Sequence, residues 1–107
     1  MIEALLCSNA KIRYIEMWED DGSVIEQFIG RNAEEQYPFP NKPIAMICKP
    51  EASEYEDTWY MQDIGPAYGA LIFVHAEPFS SEWKSLSEEE KEYLEKTIRL
   101  QEKGIAL

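Results

Sequence analysis

The chain has 107 residues and a formal net charge of −11, with 21 acidic residues against 10 basic ones. This length is enough for one domain with its own core, and we predict a single domain over residues 1–107. The negative field repels nucleic acid and anionic membranes, so it argues against direct binding to either. The same field would attract a basic protein partner, although surplus acid also serves solubility alone.

The first third of the chain is rich in β-type patterns. Residues 1–7 are ambiguous, because their apolar residues fit a helical turn and a strand equally well. Residues 11–18 are predicted as a strand. An Asp-Gly turn at residues 19–23 then predicts that Val24 to Ile29 returns as the partner strand of a hairpin. This turn lacks the alternating ligands and the distant Glu of an EF-hand, so calcium binding is disfavoured.

Residues 30–43 form the longest irregular stretch of the sequence. Three prolines between positions 38 and 43 disfavour regular structure there. Long loops in small domains often carry function. Tyr37 and Phe39 in this loop are therefore either exposed anchors for a partner or aromatic residues that fold back onto one end of the core.

The clearest strand–turn–strand pattern lies between residues 58 and 76. Residues 58–64 are rich in β-branched and aromatic side chains, residues 65–69 contain the glycines of a short hairpin loop, and residues 70–76 are apolar on both faces. A strand that is apolar on both faces usually lies inside its sheet. Residues 44–48 are apolar in the same way, which predicts a second interior strand.

A C-terminal helix over about residues 86–103 is the most secure element. Ser85 or Ser87 can serve as its N-cap, because each has a Glu three residues later. Leu94 and Ile98 lie on a narrow apolar stripe, and Gly104 fits the position that ends the helix. We therefore predict an α+β fold, with an antiparallel β-meander sheet of five to six strands over about residues 11–76 and this helix packed on one face.

One helix leaves the second face of such a sheet without a cover. The N-terminal segment, curling of the sheet or a second subunit could each supply one. A homodimer through a sheet face is therefore a hypothesis.

Our first functional hypothesis is a small acidic protein-binding module. It would act as an inhibitor or immunity-type protein that imitates the charge of DNA and blocks a basic, for example nucleic-acid-binding, site on a partner protein. Acidic residues would steer the partner and aromatic residues would supply affinity. The predicted partner-binding residues are Glu51, Glu54, Tyr55, Glu56, Asp57, Tyr37 and Phe39.

The alternative hypothesis is a small-molecule-binding or catalytic domain with a pocket near His75 and Cys48. Each residue ends an apolar strand, so a Cys–His pair is conceivable if the two strands are neighbours. A lone His in such a setting is more often structural than catalytic. The sequence has no nucleophile motif, phosphate-binding glycine loop or metal-ligand spacing. We therefore predict no metal and no cofactor, and we favour a non-enzyme.

The remaining features indicate a cytoplasmic protein. Cys7 and Cys48 sit among apolar residues without metal-type spacing, as buried free thiols in a reducing compartment do. The first residues lack the basic start of a signal peptide, and no window approaches the ~18–20 apolar residues of a membrane span.

Overall fold

Two antiparallel sheets carry the architecture of the computed structural model, which describes residues 1–18, 22–51, 56–78 and 82–101. The five-stranded sheet has the order β2-β1-β7-β4-β3 and the three-stranded sheet the order β6-β5-β8. The predicted α+β class, with an antiparallel sheet and a C-terminal helix, is confirmed. The elements are β1 (Ile2–Ser8), β2 (Lys11–Met17), α1 (Gly22–Phe28), β3 (Glu34–Gln36), β4 (Ile44–Cys48), β5 (Thr58–Met61), β6 (Gly65–Tyr68), β7 (Leu71–His75), α2 (Glu88–Thr97) and β8 (Ile98–Gln101).

Strand β7 is the centre of the larger sheet. Its residues from Leu71 to Val74 are fully buried, and Phe73 lies between Leu5 of β1 and Met46 of β4. The interior position predicted for residues 44–48 is likewise confirmed, since β4 is buried along its whole length. The ambiguous N-terminal segment is a strand, because β1 completes backbone ladders on both sides, with β2 and β7.

Different elements cover the two faces of the five-stranded sheet. On one face, Leu5 and Phe73 pack with Trp59 of the small sheet and Leu94 of α2. On the other face, the core of buried side chains is joined by partly buried residues of α1, such as Val24, Ile25 and Phe28. A second subunit is not needed to cover this face, and homodimerisation through it stays a prediction.

The strand predicted from Val24 to Ile29 is wrong, because these residues belong to helix α1 and the turn after it. Val24, Ile25 and Phe28 are spaced so that a helix also brings them to one side. As a helix they close the open face of the sheet, whereas a hairpin partner of β2 would have left that face exposed. Residues 19–21 of the predicted turn lie outside the described residues.

The hairpin predicted between residues 58–64 and 70–76 is also wrong. The chain turns earlier, where Ile64 donates its N–H to the carbonyl of Met61 and both Asp63 and Gly65 have positive φ. The residues assigned to the loop therefore form strand β6, which pairs with β5. Strand β7 belongs to the other sheet.

Helix α2 begins as predicted but ends early. Ser87 is the N-cap, and its capping box with Glu90 is complete in both directions. Ser85 instead accepts a hydrogen bond from the N–H of Glu3. The chain leaves the helix at Ile98 to form β8 against β5, so the predicted end near residue 103 is wrong. Gly104 lies outside the described residues.

Phe39 is a core residue and not an exposed anchor. It is 2% exposed, and its ring lies 5.3 Å from Tyr93 in an edge-to-face contact and 6.1 Å from Phe73. Tyr37 is half-buried, with its hydroxyl 3.4 Å from the carbonyl oxygen of Glu77. Residues 30–43 therefore fold back onto the core, and they also contain the short strand β3.

The burial of Phe39 predicts a large loss of stability on truncation. Phe39→Ala should lower the free energy of unfolding by about 3–5 kcal/mol, because it removes apolar contacts and leaves a cavity. Trp18→Ala, at a side chain that is 58% exposed, is the control and should change it by less than about 0.5 kcal/mol. Urea unfolding followed by circular dichroism measures both. Equal small effects would show that Phe39 does not belong to the core.

Candidate functional site

The acidic loop, which we define as residues 50–57, offers fewer accessible acidic side chains than its sequence indicates. Glu51 is exposed and Glu56 is half-buried, while Glu54 and Tyr55 lie outside the described residues. Asp57 has a structural task, because its carboxylate accepts a hydrogen bond of 2.8 Å from the N–H of Ala10 in the β1–β2 turn. Of the seven predicted partner-binding residues, Phe39 is buried and Glu54 and Tyr55 lie outside the described residues, so a binding surface at this loop stays a prediction.

Cys48 and His75 lie on neighbouring strands but at opposite ends. His75 is opposite Ile44 and Cys48 is opposite Leu71, four positions away along the ladder, or ~13 Å at the rise of a strand. Cys48 lines a cleft of about 240 Å³ between the two sheets, together with Met46 and Met61. Burial and the charge of Glu34 raise the pKa of its thiol. This geometry excludes a Cys–His pair.

His75 has a carboxylate partner that the sequence did not reveal. Its Nδ1 lies 2.8 Å from Oε2 of Glu90, whose other oxygen accepts the N–H of Ser87 at 2.7 Å. The helix cap thus fixes the carboxylate, and the carboxylate orients the imidazole. These side chains border a hollow of about 300 Å³, which is also lined by Lys42 and Tyr93. The ammonium of Lys42 lies 4.4 Å from the centre of the Tyr93 ring.

A second arrangement gathers carboxylates from three separate elements. Helix α2 contacts β1 through Lys91 and Glu3 and contacts β2 through Glu95 and Tyr14. Residues at positions 88, 92 and 95 share one side of the helix. Glu3 of β1 and Glu16 of β2 are directly opposite each other in the ladder beside this helix. We call these five residues the acidic face: Glu3, Glu16, Glu88, Glu92 and Glu95.

Tyr14 lies where the acidic face is most concentrated. Its hydroxyl donates a hydrogen bond of 2.5 Å to Glu95. Burial raises the pKa of Tyr14, and so do the hydrogen bond to Glu95 and the charges of Glu95, Glu3 and Glu88. The ammonium of Lys91, which pairs with Glu3 and Glu88, lies 5.2 Å from the centre of the Tyr14 ring, so carboxylates from β1 and from two turns of α2 lie around one residue.

Two lysines partly balance the acidic face. Lys91 forms ion pairs with Glu3 and with Glu88, and these contacts raise its pKa. Lys96 pairs with Glu92 at 3.0 Å. Glu88 and Glu92 remain largely accessible, with side chains 92% and 66% exposed. The face therefore keeps a surplus of accessible negative charge.

Glu88, Glu92 and Glu95 lie within the predicted helix, but they were not predicted as site residues, and the sequence could not place Glu3 and Glu16 beside them. The hydrogen bond from Tyr14 to Glu95 joins residues 81 positions apart. Only a correct strand assignment for residues 1–7 would have put Glu3 opposite Glu16. The link between His75 and Glu90 depended in the same way on tertiary structure.

Within the described residues, no helix is long and apolar enough to cross a membrane. In the same part of the chain, no group of three or more His, Cys, Asp or Glu side chains is placed to hold a metal ion. Comparisons with protein-family models, with curated proteins and with solved structures find no match.

The surroundings of Tyr14 predict a pH dependence of stability. The folded state favours the neutral phenol, so its stabilising effect is present below the ordinary tyrosine pKa of about 10 and is lost as the pH rises above it. The free energy of unfolding should therefore fall more between about pH 9 and about pH 11 in the wild type than in Tyr14→Phe.

Urea unfolding at both pH values measures this difference. Tyr60→Phe, at an exposed tyrosine of the small sheet, is the matched control and should follow the wild type. Burial raises the pKa of the Cys7 thiol to about 12. Because Cys7 is present in all three proteins, its effect on stability cancels in the comparison. If Tyr14→Phe follows the wild type at both pH values, the carboxylates do not act on Tyr14.

Proposed function

We propose that this protein is a small acidic protein-binding module that uses the acidic face to occupy a basic site on a partner protein. The observation that carries the proposal is the geometry around Tyr14: its hydroxyl bonds to Glu95, and Lys91, which pairs with Glu3 and Glu88, lies over its ring. A negative surface built from several elements steers a basic partner and fixes its orientation.

Exposed apolar groups beside the acidic face can supply affinity. Trp18, directly after β2, is 58% exposed, and Ile12 within β2 is 39% exposed. Large aromatic side chains are frequent hot spots of interfaces. Trp18 can thus serve as the apolar anchor in place of Phe39, which is buried in the core.

The acidic face favours a partner whose own site is rich in Lys and Arg, such as a site that normally binds nucleic acid. Covering such a site would inhibit the partner, as an inhibitor or immunity-type protein does. Both cysteines are buried and free, which fits action in a reducing compartment such as the cytoplasm.

Capture of the partner tests the proposal. The purified protein is immobilised, exposed to lysate of the native host and washed at low and then at raised salt, and the eluate is identified by mass spectrometry. We expect a basic protein that is retained at low salt and released as salt rises, since screening weakens attraction between exposed charges. An eluate without a basic protein would contradict the proposal.

Charge reversal locates the binding surface on that partner. The double variant Glu16→Lys with Glu92→Lys should weaken binding at least about tenfold, because it places like charges against a basic site. The matched control reverses Glu51 and Glu56 in the acidic loop, with the same change in net charge, and should bind like the wild type. The opposite pattern would move the site to the loop.

A second candidate function is a small-molecule site at the hollow beside His75. The hydrogen bond between His75 and Glu90 favours it, since a carboxylate-oriented imidazole beside a cavity can accept or donate a proton. Cys48 has no part in this site.

His75→Ala separates the two functions. On the first proposal this variant should bind the captured partner like the wild type, because His75 lies outside the acidic face. Loss of cellular function in His75→Ala, with binding to the partner intact, would favour the second candidate. Circular dichroism confirms that the variant is folded.

A further inference from the structure

Strand β2 has no partner strand on its outer side among the described residues, so it leaves one edge of the larger sheet open. The other described edges are short or protected: β3 has three residues and is soon followed by Pro38, β6 contains Pro66, and β8 has four residues. Strand β2 has seven residues, no proline and a continuous ladder with β1 from end to end. The protection that β2 does have is charge, from Lys11, Arg13 and Glu16, which disfavours pairing with a strand of unsuitable charge pattern.

The turn before β2 determines which backbone groups point outwards. Asn9 and Ala10 both have positive φ and form a two-residue loop between Ser8 and Lys11, which is the geometry of a type I′ hairpin. The residues that flank such a loop bond to each other, and bonded pairs then alternate along the ladder. Lys11, Arg13 and Ile15 therefore bond to β1.

The intervening residues Ile12, Tyr14 and Glu16 consequently direct their N–H and C=O groups to the open edge. Within the described residues, no strand forms a ladder with these groups. The side chains of the same three residues lie on the side of the sheet that carries α2, as the bond from Tyr14 to Glu95 shows. The open edge is thus bordered by the acidic face on one side.

The opposite side of the same edge has the opposite charge. Lys11 and Arg13 point there, and the guanidinium of Arg13 lies 5.8 Å from the centre of the Phe28 ring of α1. A strand added to β2 would alternate its side chains between these two sides. Its residues on the α2 side would face carboxylates, and the residues between them would face Arg13 and Lys11.

We propose that the partner binds by adding an extended segment to the free edge of β2, with Lys or Arg at every second position facing the acidic face. This inference rests on the proposed function and specifies how the basic partner is held. Main-chain hydrogen bonds to Ile12, Tyr14 and Glu16 supply affinity, and the acidic face selects the alternating basic pattern.

The probe for this proposal is a seven-residue peptide with blocked ends, matched to the length of β2. It has lysine at every second position and valine or threonine between. The control peptide has the same composition with its lysines grouped together, so that total charge is equal but alternation is lost. Binding is measured by NMR titration of the folded protein at low salt, together with amide hydrogen exchange.

We expect the alternating peptide to bind more tightly than the control peptide by about tenfold, the worth of one or two net hydrogen bonds. The amides of Ile12, Tyr14 and Glu16 should exchange more slowly in the complex. Those of Arg13 and Ile15, which already bond to β1, should change little. This alternation of amide protection along β2 distinguishes strand addition from nonspecific electrostatic binding.

A proline substitution gives an independent test. Ile12→Pro removes an N–H that faces the open edge and leaves the acidic face unaltered, and edge strands tolerate such a proline. It should weaken binding of the alternating peptide by about tenfold. Circular dichroism verifies the fold. The matched control, Ile12→Ala, also loses the apolar side chain but keeps the N–H, so it should bind the alternating peptide more tightly than Ile12→Pro does.

The outcomes distinguish failure of strand addition from failure of the proposed function. If both peptides bind equally and shift only the acidic face, strand addition is overturned while the proposed function stands. If neither peptide binds at low salt, attraction to basic partners fails as well. If sedimentation gives a dimer and the three outward amides are already protected in the free protein, a second copy occupies the edge and strand addition by a partner is overturned.

Discussion

The burial of β7 on both faces is the constraint on which the rest of the structure depends. A strand in this position needs a neighbour on each side for its backbone and a cover on each face for its side chains. Strands β1 and β4 provide the neighbours. The small sheet with α2 covers one face, and α1 covers the other. Each departure from the expected hairpins follows from this requirement.

The need to cover β7 also explains why the acidic residues of α2 lie on one side of the helix. Helix α2 covers the sheet with Leu94 and turns its acidic side towards solvent and towards β1 and β2. Glu3 and Glu16 are directly opposite in the ladder, an arrangement of like charges that destabilises a sheet. Lys91 relieves Glu3 only in part, because it also pairs with Glu88. Real proteins often break such local rules at functional sites, which is why we propose this face as the binding surface.

Local patterns predicted the interior strands and the capped start of α2, since both depend on residues close in sequence. Local patterns failed where the sequence nearby allows two structures and contacts between residues distant in sequence determine which one forms. Val24 to Phe28 satisfies a strand and a helix, and the open face of the sheet selects the helix. Phe39 could lie inside or outside, and contact with Tyr93 places it in the core. The acidic face joins β1, β2 and α2, so no single segment of the sequence contains it.

We propose that accessible charge on the acidic face guides association with a basic partner. This proposal is tested by the association rate constant of the protein with its captured partner, measured by stopped-flow fluorescence over a range of ionic strengths. We expect the association rate to fall steeply as salt increases, while the dissociation rate changes little. An association rate that is independent of salt would contradict it.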